Sequence, residues 1–320
     1  DNVLAYLEKH RGEVVTGGQI ARQLGVSRNS VWKAVHALQK KGHDIEAMAN
    51  SGYCLVEASD GLSATAIKEA LTTESFGREL ELLETAVSTN SFLKGLDTAA
   101  LPEGYTVLAD EQTAGRGRLG RTFYSPAREG VYLSVLIKPR LAMDDVPMLT
   151  ICAAVAVSAA VEKVCGLQTG VKWVNDIYCN DKKLCGILSE AFISAELKTT
   201  EYVIVGIGIN TGKVDPAVAD IATSIFEETD ARGIRNRLAA EILNQFELCY
   251  KTFLTENGCC TVLEEYRRRL FIVGRKVEVL QHSTSYTATV LGIDDAGALL
   301  VKTAAGEQEA LRTGEIRLTQ

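Results

Sequence analysis

The stretch Gly115-Arg116-Gly117-Arg118-Leu119-Gly120-Arg121, GRGRLGR, decides how this chain is read. Its glycines at 115, 117 and 120 match the letter of G-x-G-x-x-G, the turn that opens a helix beneath a dinucleotide in doubly wound folds. The residues after it do not open a helix. Residues 121–130 read RTFYSPAREG, with Pro126 and no helical period. Arginines instead fill the spaces between the glycines. Three guanidinium groups, on a backbone that can approach a ligand closely, suit an anion with several oxygens, a phosphate or a carboxylate. The bland alternative, a basic surface loop, leaves the glycine spacing without a purpose.

Working outward, residues 171–191 read VKWVNDIYCNDKKLCGILSEA. Lys172, Asn175 and Asp176 end one strand-like run, and Lys183 begins the next. The carboxylate suits a Mg²⁺ carried on nucleotide phosphates, and a lysine suits charge developing on phosphate or carboxylate. Alone, this is also what a salt-bridged hairpin turn looks like. Ser88, Thr89 and Asn90 stand between a strand and a helix, where they could bind a neutral polar head group or simply cap the helix. Gly206 and Gly208 end an apolar strand and leave room for a ligand or a second backbone. Strand-like runs alternate irregularly with helical runs at 91–100, 148–165 and 232–256, the last ended by Gly258. This predicts a mixed α/β domain over 81–269.

The first 60 residues differ in kind. Residues 1–50 hold seven Lys/Arg against five Asp/Glu, leaving 27 against 36 in the rest of a chain whose net charge is −7. Within them, TGGQIARQLGVSRNSVWKAVHALQKKG predicts two helices and a tight turn. Thr16 with Gln19 forms a capping box, Gly25 makes the turn and Ser27 caps the second helix. Val31, Val35 and Leu38 face inward, while Asn29, Lys33, His36 and Lys40 face out. A basic, hydrogen-bonding outer face, with Arg28 near its N-terminal end, is what reading the major groove requires. Thr16, Ser27, Arg28, Asn29, Ser30 and Lys33 are the candidate DNA contacts. Two short extended runs around Asn50-Ser51-Gly52 predict a wing, so the unit reads as a winged helix-turn-helix. Residues 61–80 read as a linker with a short helix. Residues 270–320 are strand-rich, with a turn at Asp294-Asp295 and Gly297.

Composition excludes several classes. Hydrophobic residues make up 46% and charged residues 23%, as in ordinary globular chains rather than disordered or rod-like ones. The longest apolar run, 151–161, is too short to span a bilayer and predicts a buried helix. No apolar leader precedes it, so the expectation is a cytoplasmic protein without a membrane partner. The eight cysteines include no C-x-x-C pair, and none of the four histidines neighbours the motifs above. Zinc, thioredoxin and histidine-based nucleophile chemistry therefore find no support.

STN at 88–90, QTAGRGRLGRTFYSP at 112–126, GVYLSVLIKP at 130–139, VKWVND at 171–176, KKLCGILSE at 182–190 and VGIGIN at 205–210 stand in an order that resembles the biotin–protein ligases. With the N-terminal reader, the chain resembles the bifunctional type, ligase and biotin-operon repressor, over essentially its whole length. The resemblance implies an α+β protein: a winged helix-turn-helix, a central class II synthetase-like domain and a C-terminal SH3-like β-barrel. It implies that ATP and biotin form biotinyl-5′-AMP, which biotinylates a lysine of the carrier domain of acetyl-CoA carboxylase. As the adenylate-bound homodimer, the protein would then repress biotin genes at operator DNA.

By the same resemblance, Ser88, Thr89, Asn90 and Gln112 bind biotin, and Gly115, Arg116, Gly117 and Arg118 close over biotin and phosphate. Lys183 contacts the reacting carboxylate and the α-phosphate, and Gly186 also binds biotin. Arg116, Arg118, Arg121, Lys172, Asn175 and Asn210 hold the nucleotide, and Asp176 holds Mg²⁺. Lys183, Arg118 and Asp176 would be the catalytic set. The segment from Asn210 to about Ser224 borders the adenine, and residues 131–138 form an edge strand for dimerisation. Val174 replaces the family's usual proline, and Phe123 a frequent tryptophan. A lipoate-type acyl ligase and a non-catalytic ligand sensor are the alternatives.

Overall fold

The computed structural model describes residues 2–48, 51–139, 141–193, 200–281 and 284–319. Three helices start the chain: α1 (Asn2–Lys9), α2 (Gly17–Leu24) and α3 (Arg28–Lys40). The capping box at Thr16 and the N-cap at Ser27 both form, and Gly25 takes φ 65° to end α2. Strands β1 (Ile45–Met48) and β2 (Gly52–Leu55) pair antiparallel as the wing. Of the turn between them, Asn50 lies outside the described residues. Helix α1 was not anticipated. Its Val3, Leu4 and Leu7 share one core with Ile20, Val31, Val35, Leu38 and Leu55. That i, i+4 spacing over residues 3–7 was a legible signal.

Residues 61–80 are not a free linker. Helix α4 (Ala64–Ala70) and the residues around it put Leu62, Ile67, Leu71 and Phe76 into the main core. Glu247, from a later helix, accepts hydrogen bonds from the Ser75 and Phe76 amides at 2.7 and 3.0 Å.

The central sheet is laid down by β3 (Leu80–Ala86), β4 (Thr106–Gln112), β5 (Gly130–Ile137), β6 (Gly170–Lys172), β7 (Asp176–Cys179), β8 (Lys182–Ile193) and β9 (Thr200–Asn210). Its spatial order is β3-β4-β5-β9-β8-β7-β6, with only β3 and β4 parallel. Helix α5 (Thr89–Lys94) covers one face, through Leu93 against Val107, Leu136 and Ile204. The other face carries α6 (Val146–Cys165), then, beyond the short α7 (Ile225–Thr229), α8 (Arg235–Phe253) and α9 (Gly258–Arg269). α6 is the one helix among the described residues long and apolar enough to cross a membrane, and most of it is buried in this core. Its apolarity is accounted for by packing.

The strand expected at an edge is interior. β5 is bonded to β4 on one side and β9 on the other, and every residue of it is buried. Residues 131–138 therefore offer no edge for pairing with a second copy. An apolar run without alternation is the mark of a strand covered on both faces. Gly258 also does not end the helical region. A Cβ there would run into the Thr252 backbone, so glycine permits the tight passage from α8 into α9.

Five strands close the chain: β10 (Lys276–Gln281), β11 (Thr284–Ile293), β12 (Leu299–Thr303), β13 (Gln308–Leu311) and β14 (Glu315–Leu318). They form the expected small antiparallel unit in the order β13-β12-β11-β10-β14. At its turn, Gly297 takes φ 78° and sits against Ile151 of α6, which docks this unit on the central core.

Candidate functional site

A cleft opens where β4, β7, β8 and β9 meet the arginine loop and the C-terminal unit. Of the residues anticipated from the sequence, Ser88, Thr89, Asn90, Gln112, Arg116, Gly117, Arg118, Arg121, Lys172, Asn175, Asp176, Lys183 and Gly186 line it. Gly115 and Asn210 do not.

The polar end is built from the start of α5. Thr89 donates to Gln112 Oε1 through both its amide (2.9 Å) and its hydroxyl (3.2 Å). Beneath them the fully buried Ser134 of β5 reaches Thr89 Oγ1 at 2.7 Å and Asn90 Oδ1 at 2.6 Å. Asn90 Nδ2 donates to Glu190 at 2.7 Å. Ser88 is buried, yet its hydroxyl does not cap the helix it precedes. The floor is made of glycines for a different reason from the one expected. A Cβ at Gly206 would enter the Asn90 amide, and one at Gly208 would strike the Phe123 ring. The strand glycines thus admit protein side chains that shape the cleft.

The arginine loop is a closed hairpin. Phe123 donates to Gly115 O at 2.8 Å, and Gly117 donates to Arg121 O at 2.7 Å. Gly115 is buried under this closure, where a Cβ would strike the Phe123 carbonyl, so its place is structural. The loop does not open a helix, consistent with rejecting the dinucleotide motif. Arg118 Nη1 donates to Asn175 Oδ1 at 3.1 Å and its Nη2 to Gly314 O at 2.9 Å. Arg121 pairs with Glu315 at 2.7 Å.

Lys172 ends β6, and Asp176 begins β7, so 173–175 is a turn rather than the end of one strand. Further side-chain contacts hold that turn. Trp173 Nε1 donates to Gly297 O at 3.0 Å, Tyr266 Oη of α9 donates to Val174 O at 3.2 Å, and Asn175 Nδ2 donates to Ile187 O at 2.8 Å. Asp176 then pairs with Lys183 at 2.7 Å across β7 and β8. Burial pushes Lys172 below the usual lysine range; Asp176 opposes this and Lys183 adds to it. Asn210, at the end of β9, donates to Thr223 O at 3.0 Å instead of facing the cleft. Sequence reasoning passed over Trp173, Leu188, Ile207 and Ile316 as lining residues. Their spacing carries no chemical signature.

Five cations (Arg116, Arg118, Arg121, Lys172, Lys183) face two carboxylates (Asp176, Glu315) in this cleft. In a chain with net charge −7, that local excess favours an anionic ligand. No group of three or more His, Cys, Asp or Glu side chains could hold a metal among the described residues. A Mg²⁺ fits only with one protein carboxylate, Asp176, and with phosphates supplying the other oxygens, a usual arrangement for this ion.

At the N-terminal unit, Arg28, Asn29, Ser30, Lys33, His36 and Lys40 are exposed along α3, opposite the buried Val31, Val35 and Leu38. Thr16 and Ser27 are engaged as caps, accepting from Gln19 and Ser30 amides at 3.1 and 3.0 Å.

The family model for the biotin/lipoate A/B protein ligase family matches residues 82–210. An HTH domain matches 1–54, and the biotin protein ligase C terminal domain matches 272–318. The bifunctional ligase/repressor BirA of Bacillus subtilis (strain 168) is 35% identical over 298 residues, covering 92% of this chain and 91% of that protein. The protein of the same name from Escherichia coli (strain K12) is 29% identical, over 91% of this chain and 89% of its own. Among solved structures, a biotin protein ligase from Aquifex aeolicus in complex with biotin and ATP superposes with a TM-score of 0.66 at 27% identity, covering 76% of this chain and 99% of that one. With reader, catalytic sheet and C-terminal unit matched in the same order, this chain belongs to the biotin–protein ligase family, in its bifunctional ligase/repressor branch.

Proposed function

We propose that the cleft joins biotin to ATP and passes the biotinyl group to a lysine of a carboxylase carrier domain. The observation that carries this reading is the convergence of a polar, glycine-floored end and a five-cation end in one cleft. A neutral bicyclic head group with a carboxylate tail fits that division. Ser88, Thr89, Asn90 and Gln112 receive the head group. The tail carboxylate reaches Lys183 and Gly186.

In the first step a carboxylate oxygen forms a bond to the α-phosphorus of ATP, and pyrophosphate leaves with its bridging oxygen. No side-chain nucleophile is required. The task is to bring two anions together, and positioning plus charge neutralisation accomplishes it. Lys183, Arg116 and Arg118 face the reacting oxygens, while Arg121, Lys172 and Asn175 take the nucleotide. Asp176 would be the one protein ligand of a Mg²⁺ carried on the nucleotide, which would shield phosphate charge when bound. The mixed anhydride is open to hydrolysis, so closure of the 115–123 loop over it keeps water out. In the second step a neutral lysine amine of the carrier attacks the acyl carbon and AMP departs. Asp176, one of the two carboxylates lining the cleft, accepts the amine's proton.

The reader unit gives the second role. The adenylate-bound protein forms a homodimer that places two α3 helices on two operator half-sites. Sedimentation velocity with and without biotin plus ATP tests this half, with stronger self-association expected when both are present. For the ligase half, a purified carrier domain should gain one biotinyl mass when incubated with the protein, biotin and ATP. A carrier of unchanged mass would count against it.

A further inference from the structure

The chain has two tryptophans, and their surroundings are opposite. Trp173 is 4% exposed, whereas Trp32 is 51% exposed in the middle of α3. Arg28 lies one turn before Trp32 and His36 one turn after, with Asn29 and Lys33 beside it, all exposed. The His36 ring meets the indole edge-on, with centroids 4.3 Å apart and planes at 79°. The indole is therefore braced against a neighbour. α3 contains no acidic residue. A rigid apolar plate set into a wholly basic and polar helix face calls for a polyanion that also offers apolar surface. The major groove of duplex DNA does so at the thymine C5-methyl group.

We propose that Trp32, braced by His36, reads thymine through its methyl group in the major groove. It thereby sets sequence preference alongside Arg28, Asn29 and Lys33. The inference rests on the repressor reading and adds a base-specific contact to it.

The test starts from a random duplex pool, selected with the full chain in the presence of biotin, ATP and Mg²⁺. Each thymine of the selected duplex is then replaced by deoxyuridine, which removes only the methyl group. Loss of one methyl contact per half-site should weaken wild-type binding about tenfold, the scale of one mismatched base pair. Trp32→Ala should bind the selected duplex about tenfold more weakly, with no further loss on that demethylation and little change on a scrambled duplex. On the unaltered protein, Trp32 fluorescence should be open to acrylamide when free and shielded on the selected duplex. Equal demethylation losses for both proteins, or unchanged acrylamide access on the duplex, would overturn the proposal. If Trp32 were shielded before DNA is added, it would be a contact between copies and the proposal would fall. If wild-type protein enriched no sequence at all, the repressor reading itself would fail first.

Discussion

Arg118, from the tip of the glycine–arginine loop, donates to the Gly314 carbonyl of the C-terminal unit at 2.9 Å, while its other arm holds Asn175 at 3.1 Å. One guanidinium thus joins the loop, the 173–175 turn and the last domain over the cleft. With Arg121 on Glu315 beside it, the loop is anchored at two points by a unit almost 200 residues away in sequence.

This anchoring separates two substitutions. Lys183→Ala should slow adenylate formation by about 10²–10³, the range for removing one preorganised electrostatic contact. Arg118→Gly should still form adenylate but release it about 10- to 100-fold faster, as expected for one lost charge-assisted network. Stopped-flow adenylate formation and chase experiments distinguish them. Nonspecific biotinylation of bystander lysines should rise only with Arg118→Gly. Adenylate held as tightly as in wild type would refute the role of the loop as a lid.

Arg235 predicts a structural effect. Its side chain is fully buried and meets three separate segments: Asp110 at 2.7 Å, Gly130 O at 2.8 Å and Asp60 O at 3.0 Å. Arg235→Ala leaves Asp110 without its partner and should cost about 3–5 kcal/mol in urea unfolding. Protease cleavage near residues 58–63 should appear as the segment leading from the reader loosens. A change below about 1 kcal/mol would show that the contacts are incidental.

His43 predicts a pH dependence. Burial, reinforced by Arg11, pushes it down to about 4 from 6.5, and its ring lies against Gly61 between reader and central domain. The unfolded chain therefore takes up a proton first as pH falls. Stability is unaffected above 6.5, declines between 6.5 and about 4, and is fully reduced below that. The total is about 3 kcal/mol at most. Thermal melts of wild type and His43→Phe should diverge from each other across that interval. Parallel melting curves would assign the acid sensitivity elsewhere.

Most of the cleft was legible because its residues announce chemistry. Arginine between glycines, K-W-x-N-D and K-L-x-G carry charge at fixed spacing, and folding brought them together. What could not be read from side-chain type was support. Ser134 looks like any strand serine, yet it lies beneath both Thr89 and Asn90. Tyr266 lies on α9, a helix hidden because Gly258 reads as a terminator when its real constraint is the Thr252 backbone. The fold followed from periodicity except where periodicity vanishes. Residues 131–137 are apolar but for Ser134, with no polar alternation, and that pattern belongs to a central strand, not an edge. Asn210 was assigned by motif alone, and its amide serves the Thr223 carbonyl.

The most direct test of the central claim is ATP–pyrophosphate exchange by the purified chain, measured with biotin, with lipoate and with neither. Exchange that requires biotin, is negligible with lipoate and is lost in Lys183→Ala is the result this account predicts. Exchange driven by lipoate, or no exchange with either acid from a folded protein, would contradict it.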